Sequence, residues 1–317
     1  MRGLRGALAA RGRGAGRDAA PAPAAPGGVT VRAARAAGAA ALLLLAGAPA
    51  AAGPVQDRIY PAPKAPLSLD GLPKGAALVR VRTADGLALQ GIALPARAGM
   101  PTLLVFHGNG SSAADALRWL APLADAGYGF VAAEYRGYSG NPGRPDEPGL
   151  ARDADAFLAL ARSQAGEGPV WALGHSLGAG VAIGLARRAP LDALVTVGAF
   201  TRLRAMAPKA VRAFVPDGYD NLAAVPRIAM PLILVHGDQD ATVPIGEARA
   251  LHLAAGAAHL RGGTFVVVGA DHRPDGATLL AVADAARAWL RDGSWPMTAI
   301  PSAAKLLPFG ETRPRNP

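Results

Sequence analysis

The sequence predicts an α/β protein in which a mostly parallel β-sheet is covered by helices on both faces. Short apolar runs alternate with helical stretches from residue 78 to residue 291, which is the pattern that such a sheet produces. The chain has 317 residues, of which 51% are hydrophobic and 18% are charged, so it can bury a large core and is not disordered throughout. Cysteine is absent, which excludes disulfides and thiolate metal sites.

The predicted strands are short apolar runs bounded by turn-forming residues. The first two flank residues 84–86, an Ala-Asp-Gly hairpin signal, and the later ones are separated by stretches with helical spacing of apolar residues. We predict strands at 78–82, 87–94, 102–106, 129–134, 169–173, 193–197, 232–236 and 264–268, and helices at 112–126, 149–164, 177–188, 245–259 and 276–291.

One domain over residues 78–293 accounts for this alternation. The proline-rich residues 54–77 predict an extended linker before it, and residues 294–317 predict a loose tail after it. Residues 200–226 interrupt the alternation and are too few for a second domain, so they predict a short insertion that caps the fold.

Positive charge is concentrated at the N terminus. The chain has a net charge of +10, and residues 1–53 contribute seven arginines and one aspartate, or +6. The other 264 residues hold 26 basic and 22 acidic residues, or +4, which gives the domain little electrostatic reason to bind nucleic acid.

The N-terminal segment has the composition of an export signal. Residues 1–30 are rich in Arg, Gly, Ala and Pro and predict a disordered basic leader. Residues 31–53 combine a basic flank with the apolar run 36–52 and an alanine-rich end, which predicts a signal peptide or a membrane anchor. We therefore predict an exported protein, periplasmic or anchored, with membrane association through residues 36–52.

A candidate nucleophile lies between a predicted strand and a predicted helix. Residues 174–178 read GHSLG, the G-x-S-x-G pattern in the context that it requires. A strand-to-helix turn of this kind raises the hydroxyl of Ser176 above the sheet, at the N-terminal end of the helix. The backbone N–H of Leu177, directly after the serine, is then a donor for a developing oxyanion.

A serine needs a base, and the base needs an acid. Of the six histidines, His272 follows the last predicted strand on a loop that can reach a neighbouring serine. Two aspartates, Asp238 and Asp240, follow the strand at 232–236 and compete for the role of the acid; Asp240 lies further into the loop and is the preferred one. The order Ser176, Asp240, His272 along the chain is one of the known orders of such a triad.

The loop that opens the helix at 112–126 has two interpretations. It can aim a backbone N–H at the substrate oxygen, as a serine hydrolase requires. Residues 108–113 also fit G-x-G-x-x-A, with Glu134 about twenty residues on, which is the fingerprint of a dinucleotide site. The position after a hairpin and the histidine at 107 favour the first interpretation, and a nucleotide-binding oxidoreductase stays the alternative.

Taken together, the motifs between residues 78 and 291 resemble those of α/β-hydrolase superfamily serine hydrolases. The chain is most similar to the compact α/β-hydrolase-domain proteins, near the prolyl-oligopeptidase-like hydrolases. The motifs that carry the resemblance are HGNG at 107–110, EYRGY at 134–138, GHSLG at 174–178, HGDQD at 236–240 with Val-Pro at 243–244, and Asp-His at 271–272.

The resemblance implies an eight-stranded sheet whose second strand is antiparallel. It supports Ser176, Asp240 and His272 as a catalytic triad and implies Asn109 with Leu177 as oxyanion donors. One departure from the family pattern is Ser139, where relatives often have glycine.

The predicted activity is hydrolysis of carboxylic esters or thioesters through an acyl-enzyme, without a metal or an organic cofactor; a peptidase follows by analogy only. The insertion is short, so we expect an open site and modest acyl chains. A catalytically silent binding protein on the same fold is the other alternative. The side chains predicted to line the substrate pocket are Phe200, Met206, Phe214 and Tyr219.

Overall fold

The computed structural model describes residues 52–206, 212, 215 and 218–310, with side chains from residue 56 onward. The predicted leader and nearly all of the predicted signal or anchor segment lie outside this range, so export and membrane association stay predictions. Within the described range, no helix is both long enough and apolar enough to cross a bilayer.

Nine strands form one sheet in the order β1-β2-β4-β3-β5-β6-β7-β8-β9 among the described residues. Strands β3 to β8 are parallel to one another, whereas β1, β2 and β9 pair antiparallel with their neighbours. The strands are β1 Ala77–Arg82, β2 Ala88–Leu94, β3 Thr102–Phe106, β4 Gly129–Ala133, β5 Val170–His175, β6 Ala193–Val197, β7 Leu232–Gly237, β8 Gly262–Val267 and β9 Ala304–Pro308.

Helices cover both faces of this sheet, and each face has its own apolar core. On one face lie α4, α5 and α8, and on the other lie α2, α3 and α9. The described helices are α1 Ala52–Ile59, α2 Ala113–Trp119, α3 Ala121–Asp125, α4 Glu147–Ala165, α5 Leu177–Ala186, α6 Leu203–Met206, α7 Asn221–Ala224, α8 Ile245–Ala257 and α9 Gly276–Asp292.

The α/β class, the mostly parallel sheet and the antiparallel second strand are confirmed. The strand count of eight is wrong by one, because part of the predicted loose tail forms β9. This strand pairs with β8 at the edge of the sheet, with Leu306 opposite Phe265 and Ala304 buried. A proline is tolerated at the end of an edge strand, where its missing N–H breaks no inner ladder.

The segment predicted as an extended linker is only partly extended. Helix α1 begins it, and the side chains of Ile59 and Tyr60 are buried in the core. The Tyr60 hydroxyl lies 3.1 Å from that of Tyr219. From there to β1 the chain has neither helix nor strand, as its prolines favour.

A partly buried ion network joins the turn between β1 and β2 to helix α4. The Arg136 guanidinium donates to Asp153 at 2.7 Å on one side and to Asp85 at 2.8 Å on the other. Asp153 is completely buried, and burial raises its pKa even though the bonds from Arg136 act in the opposite direction. The charge of Asp153 is therefore stabilised chiefly by this arginine.

We predict that Arg136→Met lowers the free energy of unfolding by about 3–5 kcal/mol, because it leaves the carboxylate of Asp153 buried without its partner. Urea denaturation measures this loss. The matched control is Arg152→Met, since Arg152 also pairs with Asp85 but at a solvent-exposed position, and it is expected to cost less than about 1 kcal/mol. Equal and small losses in both variants would contradict the stabilising role of the buried pair.

Candidate active site

The serine of the GHSLG motif lies at a sharp turn between β5 and α5. Ser176 has φ 53° and ψ −116°, a conformation that residues other than glycine rarely adopt. Its backbone N–H donates to the carbonyl of Val197 at the end of β6, at 2.9 Å. Strand β5 ends at His175 and α5 begins at Leu177, so the serine lies at the N-terminal end of the helix.

Two glycines allow this turn. A β-carbon at Gly174 would collide with the backbone at Gly178. One at Gly178 would collide with the carbonyl oxygen of Phe106 at the end of β3. The turn is therefore packed directly against β3, and a side chain does not fit at either position.

The predicted base and acid meet across the loops that follow β7 and β8. His272 Nδ1 lies 2.7 Å from Asp240 Oδ2. The other oxygen, Asp240 Oδ1, accepts the backbone N–H groups of Thr242 and Val243 at 2.9 and 2.8 Å. Because both oxygens are engaged, the carboxylate is held in one orientation, and it holds the imidazole ring in turn.

These contacts keep Asp240 ionised. Burial alone would raise the pKa of Asp240, but the hydrogen bonds from His272 and Val243 outweigh burial, and its pKa lies below the usual value. An ionised carboxylate can only accept a hydrogen bond, so the proton of this bond belongs to His272 Nδ1. The opposite nitrogen, Nε2, is thereby left to accept a proton.

The competing aspartate has a different place. The carboxylate of Asp238 accepts the backbone N–H of Gly269 at 2.7 Å, and its own N–H donates to the carbonyl of Val267 at 3.1 Å. Asp238 thus joins the two loops after β7 and β8 as a turn residue, and His272 is bound by Asp240 instead.

The loop that carries His272 is packed on two sides. His175 Nε2 donates to the backbone carbonyl of His272 at 3.0 Å, and the two ring centroids are 4.8 Å apart. Burial, together with the nearby His272, lowers the pKa of His175 to about 3, so this ring is neutral. A β-carbon at Gly198, which has φ 61°, would lie 2.8 Å from His272 Cε1, so a side chain there would displace the imidazole.

The loop after β3, which contains Asn109, lies against the serine turn. A β-carbon at Gly108 would be 2.7 Å from His175 Nδ1 and 3.4 Å from Ser176 Cβ. The glycine therefore lets the loop approach the serine. The backbone of the HGNG motif thus lies beside Ser176.

Two residues after β4 hold this loop. The hydroxyl of Tyr135 donates to the carbonyl of His107 at 2.8 Å. Glu134 is completely buried, with one oxygen 3.1 Å from His107 Nε2 and the other accepting the N–H of Ala113 at 2.8 Å. Its carboxylate is thus engaged within the loop and does not reach a surface where a ribose could bind, which removes the acidic partner that a dinucleotide site requires.

A cavity of about 530 Å³ opens at the serine. Its floor is formed by the ends of β3 and β5, and its sides by the loops after β7 and β8 and by the insertion. Asp240 is buried behind His272 rather than exposed in the cavity. The predicted site residues that line it are Ser176, His272, Asn109, Leu177, Phe200 and Met206.

Two of the predicted pocket residues are not found in this lining. Tyr219 packs against α5, where a β-carbon at Gly180 would lie 2.8 Å from its ring, and its hydroxyl lies beside that of Tyr60. It therefore ties the insertion to the N-terminal segment and does not line the cavity. Phe214 lies outside the described residues.

Several residues of the cavity wall were not predicted from the sequence. Ile59 and Pro61 come from the supposed linker, and Trp119 comes from α2. Arg273 also lines the cavity, and its position directly after His272 was the available sequence signal. Ile59, Pro61 and Trp119 reach the cavity through long-range packing, which a local sequence pattern does not predict.

Ser139 has a structural explanation. It adopts φ 47°, the left-handed region that favours glycine, and its N–H donates to the carbonyl of Pro63 at 2.7 Å. It is buried and does not line the cavity.

Comparisons with known proteins agree with this architecture. Residues 100–218 match the family model described as serine aminopeptidase, S33. Among solved structures, the Rhodococcus esterase RhEst1 superposes with a TM-score of 0.53 at 20% identity, covering 68% of this chain and 98% of that one. A puromycin-hydrolyzing peptidase of Mycobacterium tuberculosis gives 0.55 at 16% identity, covering 69% and 40%. The chain therefore has the α/β-hydrolase fold.

The curated relatives are similar to this chain over part of their length. An uncharacterized protein of Mycobacterium tuberculosis is 35% identical over 182 residues, which cover 55% of this chain and 64% of that protein. The lysophosphatidylserine lipase ABHD12 of Rattus norvegicus is 32% identical over 177 residues, covering 48% and 44%. The chain thus spans less than two thirds of the length of these two relatives.

We predict that acid destabilises the protein through His175. Its pKa is about 3 in the folded state and 6.5 in the reference state, so the unfolded chain binds a proton that the folded one does not. Stability is therefore retained above pH 6.5 and lost as the pH falls below it, by up to about 1.4 kcal/mol per pH unit.

The measurement is urea denaturation at pH values from 7 down to 4. His175→Gln keeps a donor but cannot titrate, so its stability should fall less steeply with acid than that of the wild type. His259→Asn, at an exposed position, is the control and should keep the wild-type slope. Identical slopes for His175→Gln and the wild type would contradict the assignment.

Proposed function

We propose that this protein is a serine hydrolase that cleaves carboxylic esters or thioesters through an acyl-enzyme on Ser176. The observation that carries the proposal is the 2.7 Å bond between His272 and Asp240 beside a serine held at φ 53° in the same cavity. The esterase, peptidase and lipase names among the related proteins support hydrolysis in general.

The proposed reaction has two halves. His272 Nε2 takes the hydroxyl proton of Ser176 as the oxygen attacks the carbonyl carbon, and Asp240 stabilises the resulting imidazolium. The backbone N–H groups of Asn109 and Leu177 bind the oxyanion, each contributing about 3 kcal/mol at the transition state. His272 then gives the proton to the leaving group, and water repeats the sequence to release the acid.

The cavity wall supports modest acyl chains. Its apolar residues include Phe200, Leu203 and Met206 of the insertion together with Ile59 of α1. A volume of about 530 Å³ is within the usual range for small-molecule sites and must also hold the leaving group. We infer that esters with short to medium acyl chains fit best.

A catalytically silent binding protein is one alternative, and a measurement of ester turnover tests it. The dinucleotide interpretation of residues 108–113 has lost its carboxylate partner, since Glu134 is buried beneath the loop. Tight NADH binding would nevertheless revive it, and the absence of turnover on any acyl ester in a folded protein would favour the silent form.

We predict that the wild type hydrolyses p-nitrophenyl esters and is labelled by a fluorophosphonate, and that Ser176→Ala loses both properties. Asp240→Asn should lower kcat by about ten-thousand-fold, because the imidazole loses its tautomer and orientation. The matched control is Asp238→Asn in the same loop, expected to stay within about two-fold of the wild type. Equal effects of the two asparagine variants would contradict the assignment of the acid.

We also compare p-nitrophenyl esters from acetate to decanoate. We predict that kcat/KM is highest for acyl chains of about four to six carbons, in keeping with a small-molecule cavity. Met206→Trp should shift the optimum to shorter acyl chains, because it fills the apolar end of the cavity. Met297→Trp, a surface substitution of the same kind, should leave it unchanged. An optimum that Met206→Trp does not move would place the acyl chain elsewhere.

A further inference from the structure

The proposed chemistry leaves one charged side chain of the cavity without a role. Arg273 lines the same cavity as Ser176 and is exposed to solvent. Among the described lining residues it is the one arginine, and no lysine, aspartate or glutamate accompanies it. Its neighbour His175 is neutral. The cavity therefore has a fixed positive charge with no acidic side chain in its wall.

The guanidinium of Arg273 is held in place by neutral groups. It lies 4.8 Å from the centre of the Trp119 ring, and its Nη2 donates to the backbone carbonyl of Asp115 at 3.0 Å. The carboxylate of Asp115 pairs with Arg118 instead, at 3.0 Å. Within the described chain no carboxylate lies within ion-pair distance of Arg273, although the charge of Asp115 acts on it from further away, so its charge is positioned without a direct ion-pair partner.

The remaining donors are available for a ligand. A guanidinium has five N–H donors in a planar fork that matches a carboxylate or a phosphate. One of the five is used by the Asp115 carbonyl. The contact with the Trp119 ring limits the movement of the guanidinium, and this reduces the entropy that a bound anion would otherwise have to offset.

The position of Arg273 indicates which half of a substrate it meets. In the proposed reaction His272 must reach the leaving-group oxygen in order to protonate it. Arg273 is the next residue in the chain after His272, and its guanidinium lies over the Trp119 ring. The ring centroids of Trp119 and His175 are 5.0 Å apart, and His175 donates to the backbone carbonyl of His272. Phe200, Leu203 and Met206 of the insertion are other residues of the same lining, and the acyl chain is assigned to these apolar side chains rather than to the charged one.

We propose that Arg273, stacked on Trp119, is a specificity-determining residue that binds a carboxylate or phosphate carried by the leaving group of the substrate. The preferred substrates are then esters or thioesters whose alcohol or thiol half is anionic and whose acyl half is apolar. This inference rests on the proposed hydrolysis at Ser176.

The test uses three chromogenic esters with matched acyl chains. The neutral one is 4-nitrophenyl butyrate. The second, 3-carboxy-4-nitrophenyl butyrate, differs only by a carboxylate on the leaving group. The third, the mono-4-nitrophenyl ester of glutaric acid, has its carboxylate on the acyl side. The ratio of kcat/KM between a charged and the neutral ester cancels effects on folding and on the triad.

For the wild type we expect the highest ratio with the ester whose leaving group is carboxylated. Arg273→Gln should lower that ratio about ten-fold or more and leave kcat/KM for the neutral ester within about two-fold. Arg273→Lys should restore part of the ratio, because it keeps the charge but not the fork. Arg249→Gln, which removes an exposed arginine of α8 outside the cavity lining, is the control and should keep the wild-type ratio.

Equal losses on all three esters in Arg273→Gln would overturn the proposal, since they indicate a structural role in packing Trp119. An unchanged kcat/KM ratio in Arg273→Gln would overturn the proposal as well. A loss confined to the glutarate ester would also overturn it, because the bound anion would then belong to the acyl half of the substrate.

A binding measurement separates this outcome from failure of the proposed function. Ser176→Ala is titrated with 3-carboxy-4-nitrophenyl butyrate by calorimetry, and the double variant Ser176→Ala, Arg273→Gln is titrated in the same way. A Kd that is at least about five-fold weaker in the double variant supports the anion site even if no ester is turned over. Equal Kd values reject the anion site while leaving hydrolysis at Ser176 intact.

Discussion

The close approach of two backbones, the first turn of α5 and the end of β3, is the constraint on which the site depends. Gly178 lies directly against the Phe106 carbonyl, so the serine turn and the loop after β3 cannot move independently. The strained backbone of Ser176 persists because this packing and the bond to Val197 hold it. The energetic cost of the turn is thereby offset by the central strands of the sheet rather than by the loop itself.

The parallel part of the sheet brings the remaining groups together. Strands β3, β5, β6, β7 and β8 are neighbours, and their carboxyl ends meet at one edge. Each end supplies one element of the site, from the HGNG loop to the loop of His272. Because adjacent strands have fixed spacing, groups that are distant in sequence lie within hydrogen-bond distance of each other. The contact between Asp240 and His272 is an example.

Much of this arrangement could be predicted from the sequence, because apolar periodicity reports local structure. The central strands, the helices and the order Ser176, Asp240, His272 all follow from patterns within short windows. Strand β9 did not, since its pairing depends on an edge that exists only in the folded sheet. The burial of Ile59 is likewise a long-range contact. The place of Tyr219 in the insertion predicts a pocket residue, but its side chain instead meets Tyr60 and α5.

Part of the cavity wall comes from stretches of the chain that hold none of the proposed reacting groups. Ile59 precedes the sheet and Met206 belongs to the insertion, whereas the serine turn and the two loops behind His272 belong to the central strands. Substitutions in α1 and the insertion therefore leave the backbone crossing at Gly178 untouched. Because of this separation, single substitutions in α1 and the insertion can change which molecules fit the cavity during evolution. The arrangement around Ser176 and His272 then stays the same.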